Sequence, residues 1–279
     1  MAETPNATPA EFTLDLDRKK QIVDVGIRRA SAFLKIGLTA ADAEPPTDFA
    51  LAGGIAFRFF PTPVKSDVAR EVRDEFSSWL IGSCLRELDQ YFSLYLDALW
   101  ELLELSEFHG AVVNSSEVIA LDQSFSGRTN VSTKLRDIAE RIQTKVAADC
   151  FHSLSLARNA LSHGAGRVRR RDTNVGSALE VRWIAPVIVI QDGDQETIIR
   201  EAIPADGYKV RSPDGARLLA RIEQHSEAFP LGSKIDLSAH NLAEICFFYS
   251  QQASLVLQGV SDHLLSKGIL PKAQKASSL

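Results

Sequence analysis

No apolar run in this chain of 279 residues approaches the roughly 20 residues that a membrane-spanning helix needs. The start, Met1-Ala2-Glu3-Thr4-Pro5-Asn6, has neither the basic nor the apolar region of a secretory signal, so the expected compartment is the cytoplasm. Cysteine is scarce. Cys84, Cys150 and Cys246 stand far apart in apolar surroundings, which argues against a disulfide framework or a metal cluster and suits buried reduced thiols. There is no Gly-x-x-x-x-Gly-Lys-Ser/Thr run, which removes the usual nucleotide-hydrolase reading, and Gly53-Gly54 sits in a Pro-containing connector. Internal repeats, low-complexity tracts and long heptad series are also missing. A surplus of cations is absent too: 31 Lys and Arg face 36 Asp and Glu, a net charge of −5. A generalised surface for coating nucleic acid is thereby disfavoured, and any phosphate contact must be local.

What is present is ordinary for a globular chain, with 45% apolar and 24% charged residues. Residues 1 to 16 read as a frayed polar terminus, and 17 to about 38 as a helix. A Pro- and Gly-containing connector follows to residue 65, with a short strand over 55 to 60. Ser66 is a good N-cap for a long helix to about 108, interrupted near Gly82-Ser83. Its second half carries Leu85, Leu88, Phe92, Tyr95, Leu96, Leu99 and Leu103 on a broad apolar face. Glu87 and Asp89 lie on the same helix; solvation is their simplest fate, and a role near a basic partner is the alternative. After a polar loop over 109 to 130, residues 132 to 146 read as a further helix.

Beyond residue 178 the pattern turns to strand. Residues 179 to 190 are rich in Val and Ile, and Gln191-Asp192-Gly193-Asp194 offers a hairpin turn into Thr197-Ile198-Ile199. Asp192, Asp194 and Glu196 alternate as in a cation loop, though a solvated turn explains them more economically. Pro186 points to an edge or bulged strand. Ser212-Pro213-Asp214 is read as opening a short helix through about 224, and Ser238 as capping a final helix over 239 to 266. The expected organisation is an N-terminal helix and connector over 1–65, then a helical domain over 66–279 with a β insertion at about 178–237.

The richest stretch is Arg158-Asn159-Ala160-Leu161-Ser162-His163-Gly164. It follows a segment free of Pro and Gly in which Phe151, Leu154 and Leu161 recur at helical spacing, and Arg158 falls on that same stripe. A guanidinium keeps its charge, so it needs an anion or a wet groove there. Asn159 and His163 are four apart and share a face, which lets the amide orient the ring. Gly164 is expected to supply a left-handed stop. An imidazole moves protons near neutral pH and an arginine grips phosphate oxygens, a pairing suited to phosphodiester cleavage without a metal. In RNA the 2′-hydroxyl provides the nucleophile, so the protein need only position the strand, transfer protons and stabilise charge. Arg167, Arg169, Arg170 and Arg171 crowd just after the motif and could hold RNA, although a solvated loop would also explain them. His152 lies about 16 Å along the helix from His163 and reads as a surface residue.

Arg158-Asn159-x-x-x-His163 resembles the R-x(4–6)-H signature of HEPN domains, in which a polar residue, often Asn, follows the Arg. The resemblance implies a mainly α, HEPN-like helical bundle, here with a small β-hairpin insertion before the C-terminal helix. It further implies a homodimer and a metal-independent endoribonuclease cutting single-stranded RNA to a 2′,3′-cyclic phosphate and a 5′-hydroxyl, in a toxin or antiviral-defence setting and without a cofactor. Arg158 would be the phosphate and transition-state ligand, His163 the proton-transfer group and Asn159 the orienting residue. Some toxins of the family carry a modifiable Tyr two residues after the His; Ala165 stands there, which disfavours silencing by that route. The competing reading is a catalytically inactive HEPN-like module that binds RNA, a nucleotide or a protein.

Overall fold

The computed structural model describes residues 15–41, 48–50, 56–58, 66–109, 130–199 and 215–270. Most of the frayed start, much of the connector, the polar loop and the expected helix opening at Ser212-Pro213-Asp214 lie outside them. The described chain is mainly helical, with a three-stranded antiparallel sheet before the last helix. Its elements are α1 (Leu16–Ala41), β1 (Asp48–Ala50), β2 (Ala56–Arg58), α2 (Ser66–Glu107), α3 (Val131–Arg141), α4 (Ala148–His163), β3 (Ala178–Asp192), β4 (Gln195–Ile199), β5 (Arg217–Pro230) and α5 (Ala239–Ser266). No helix among the described residues is long and apolar enough to cross a membrane.

The chain divides into two units. One comprises Met1–Arg28, Glu87–Ala148 and Tyr249–Leu279; the other comprises Arg29–Arg86 and Asp149–Phe248. In the first, the apolar face of α2 closes over α5: Phe92 meets Tyr249 edge to face at 5.3 Å between centroids, and the Tyr95 hydroxyl donates to the Ala253 carbonyl at 2.7 Å. Burial and the nearby Asp24 carboxylate push the Tyr95 phenol well above its usual range. Asp89, read from sequence as a solvated acid, is instead buried and accepts from the Tyr249 hydroxyl at 2.5 Å. Lys134 of α3 is also buried, its ammonium donating to Asp97 at 2.6 Å and to Ser93 at 2.9 Å. A buried charge survives only when paired in this way. Helix α3 is shorter than the expected 132–146: Asn130 caps it through the Ser132 amide, and left-handed Gln143, at φ 54°, ends it.

In the second unit, α1 and α2 lie against each other at Gly37, where an added Cβ would come within 2.4 Å of Leu80. Helix α2 runs unbroken through Gly82 and Ser83, contrary to the expected interruption. Gly82 serves close packing: a Cβ there would fall 2.8 Å from that of Leu161. The sheet order is β4-β3-β5, so the expected hairpin gains a third strand. The β3–β4 turn uses Gly193 at φ 62°, as the sequence indicated.

The expected helix through 224 is wrong over its described part, which lies in β5. Leu219, Ala220, Arg221, Glu223 and Gln224 all favour helix, but pairing with β3 from Ala178↔Pro230 to Gln191↔Arg217 overrides that propensity. β3 is central where β4 pairs with Ile188 to Asp192, but among the described residues Pro186 lies outside that pairing and has β5 as its strand neighbour, so it stands on a local edge as expected. The Arg182 N–H turns away from β5 and donates to Ser153 Oγ of α4 at 2.9 Å. Period-two alternation turns position 186 the same way, so the missing N–H of Pro186 takes nothing from the β3–β5 ladder. Ser153 in turn anchors α4 along that edge of β3. Ser238 caps α5 as expected, its Oγ accepting from the Asn241 amide at 3.1 Å.

Candidate functional site at the end of α4

Helix α4 buries Cys150, Phe151, Ser153, Leu154, Ala157, Ala160 and Leu161, and leaves His152, Ser162 and His163 exposed. Arg158 and Asn159 are half-buried at the margin of the exposed arc. The guanidinium of Arg158 donates from Nε at 3.2 Å and from Nη2 at 2.9 Å, both to Asn159 Oδ1. The amide therefore orients the arginine. The expected Asn159–His163 pairing is not formed: among the described residues no hydrogen bond joins them, and the imidazole projects from the last residue of the helix.

Two consecutive left-handed residues end the helix, Ala165 at φ 49° and Gly166 at φ 73°. Gly164, expected to be the left-handed stop, is not left-handed. It is required for space, because a Cβ would meet the Ala160 and Arg167 carbonyl oxygens at 2.7 and 2.8 Å. The amides of Gly164 and Gly166 both return to the Ala160 carbonyl, at 2.8 and 3.2 Å. The exit is then clamped to the segment after β5. Val168 donates to the Ser233 carbonyl at 3.0 Å, Gly232 to that of Val168 at 2.8 Å, and Ile235 to that of Gly166 at 2.8 Å.

The four arginines divide by role. Arg169 is a latch. Its Nη1 donates to the His163 carbonyl at 2.8 Å, while its Nε and backbone N–H donate to Asp172 Oδ2 at 2.9 and 3.0 Å. Orphan carbonyl charge at the helix end is thus met by a cation held on a buried carboxylate. Burial acts to raise the Asp172 pKa; the hydrogen bonds from Arg169 and the charges of Arg169 and Arg171 outweigh it and hold the carboxyl below its ordinary range. Arg167 is exposed, with one bond from Nη1 to the Gly232 carbonyl at 3.1 Å. Arg170 and Arg171 are exposed on a single 3-10 turn over Arg170–Asp172, and Arg171 Nε stands 4.0 Å from Asp172. Arg167, Arg170 and Arg171 therefore present cations to solvent, whereas Arg169 is committed to the fold. Asp172 was missed from sequence, although its position three residues after Arg169 was the available signal.

A second polar cluster, also unforeseen, lies between the sheet and α5. Glu244 accepts from the Trp183 indole N–H at 2.8 Å and faces His225 Nδ1 and His240 Nε2, each at 3.2 Å. Its evident structural task is to satisfy the indole of a buried tryptophan. Among the described residues no group of three His, Cys, Asp or Glu side chains is arranged to hold a metal ion. The three cysteines are free and buried, and burial pushes the Cys150 thiol up to about 11. No family model, curated protein or solved structure matches the chain.

Proposed function

We propose that the chain is a metal-independent endoribonuclease of HEPN type acting on single-stranded RNA. The observation that carries this reading is the end of α4: an exposed imidazole five residues beyond an amide-held guanidinium, followed by three solvent-facing arginines. In the reaction the 2′-oxygen attacks the adjacent phosphorus and the P–O5′ bond breaks. The 2′ proton passes to a base and the 5′-oxygen gains a proton, leaving a 2′,3′-cyclic phosphate and a 5′-hydroxyl. Arg158 holds the phosphoryl oxygens as charge builds on them, with Asn159 fixing its plane. His163 performs a proton transfer. Each chain supplies one Arg158–His163 set, so two copies in a homodimer would furnish both the base and the acid.

The purified chain should cut single-stranded RNA in excess EDTA and leave cyclic-phosphate ends. Arg158→Ala and His163→Ala should each abolish cutting while the circular dichroism spectrum is retained. Dependence on a divalent ion, or cutting that survives both changes, refutes the proposal. The exposure of Arg167, Arg170 and Arg171 equally favours a second reading, an RNA-binding module without turnover. Retention of uncut RNA, lost on changing Arg170 and Arg171 but indifferent to His163→Ala, would select it.

A further inference from the structure

The largest apolar side chain turned to solvent near the motif is Trp79 of α2, which is 60% exposed. An exposed indole is unusual, since tryptophan is highly buried on average. Its position on α2 follows from the neighbours. Ser78 and Gly82 mark the side facing α4: Cβ atoms added at Gly166 and Gly82 would lie 2.9 Å from Ser78 Oγ and 2.8 Å from the Leu161 Cβ. Leu80 and Cys84 mark the side facing α1, through Gly37 and through the Ala30 carbonyl at 3.4 Å from Cys84 Sγ. At 100° per residue, Trp79 falls on the open arc between those two lines, one residue on from Ser78, whose Oγ marks the loop that leaves His163. Phe76 packs on it, with ring centroids 5.8 Å apart and planes inclined by 27°.

We propose that Trp79, paired with Phe76, is a stacking platform for a nucleobase of the single-stranded RNA taken by the Arg158–His163 site. The inference rests on the nuclease reading and adds to it the contact that seats a base. The two rings already form an offset pair inclined by 27°, and a base stacked on the 60% exposed indole extends it without regard to sequence. The adjoining loop favours RNA over an apolar protein partner. Arg167, Arg170 and Arg171 stand exposed just beyond Gly166, where phosphates would pair them and an apolar surface would strand them dehydrated.

The test uses the full chain with His163→Ala to silence cutting, titrated into a dye-labelled twelve-nucleotide single-stranded RNA: dye anisotropy reads the affinity of every variant, and tryptophan emission is followed in the chain that keeps Trp79. Trp183 is buried and Trp100 half-buried, so Trp79 is the indole open to quenching by a base. Binding should quench emission in the chain that keeps Trp79, Trp79→Ala should weaken the affinity read by anisotropy about 5- to 100-fold, and Trp79→Phe should recover most of the loss. An oligomer lacking bases should bind the Trp79→Ala variant and its parent equally. In the chain with His163 intact, Trp79→Ala should raise KM and leave kcat close to its original value. Equal RNA affinity with and without the indole, while cutting in EDTA persists, overturns the platform and leaves the nuclease reading standing. Absence of both binding and cutting overturns both. A fall in mass from dimer to monomer on Trp79→Ala, with RNA affinity per site unchanged, also overturns the platform and assigns the indole to a protein interface.

Discussion

Replacing Asp172 by Ala removes the anchor of the latch that closes α4 while leaving Arg169 in place. The carboxylate is 3% exposed and takes three donors from Arg169: the backbone N–H at 3.0 Å, Nε at 2.9 Å and Nη2 at 3.3 Å. A hydrogen bond to a charged group contributes about 1.5–3 kcal/mol, but three bonds to one carboxylate are not additive and the guanidinium is partly solvated, so the expected loss is about 2–3 kcal/mol. Urea unfolding at pH 7 measures it, and a cycle with Arg169→Ala isolates the pair. The pH dependence has a definite sign. The carboxyl lies lower in the folded chain than in the unfolded one, so its stabilisation is complete above about pH 4–5 and is lost as pH falls through the lower folded value. The gap between the variant and its parent should therefore hold steady from pH 5 to 8 and close in acid. Equal stability at pH 7, no coupling to Arg169, or a gap that widens on acidification would refute the argument. On the proposed nuclease reading, cutting should weaken as well, because the latch holds the carbonyl of His163.

Further expectations concern the helix exit and the core. Gly164→Ala should destabilise by about 1–3 kcal/mol in urea melts, since its Cβ meets two backbone oxygens that cannot withdraw. Ala165→Gly should stabilise by about 0.5–1 kcal/mol by relieving a left-handed alanine; a destabilised variant would contradict the strain. Tyr95→Phe should cost about 1–2 kcal/mol through the lost bond to the Ala253 carbonyl, read as a lower Tm. A thiol reagent at pH 8 should leave Cys84, Cys150 and Cys246 unmodified in the folded chain and label all three in urea, because burial both shields them and raises Cys150 and Cys246.

Much of the helical framework was legible because local signals agreed with one another. The bounds of α4 followed from a stretch free of Pro and Gly, and the start of α5 from Ser238. β3 was legible because its Val and Ile residues have no competing period. β5 was not, since its Leu, Ala, Arg, Glu and Gln residues favour a helix and only the ladder to β3 makes them a strand. Gly82 looked like a helix breaker because sequence cannot show that Leu161 lies 2.8 Å from the Cβ it lacks.

The candidate site divides along the same line. The sequence by itself determined that Arg158, Asn159 and His163 share one helix end and that four arginines follow within eight residues of His163, because helical spacing and chain adjacency are local properties. Tertiary structure decided how they are used. Asn159 is turned to Arg158, Arg169 is drawn inward by Asp172, and Arg167, Arg170 and Arg171 are left to solvent. It also set Ser78 and Gly82 of α2 against the end of α4 and the loop that leaves His163, contacts that join segments more than 75 residues apart. Sequence distributes charge and apolar surface along the chain, but which groups meet each other and which meet water depends on packing between elements that no local pattern encodes.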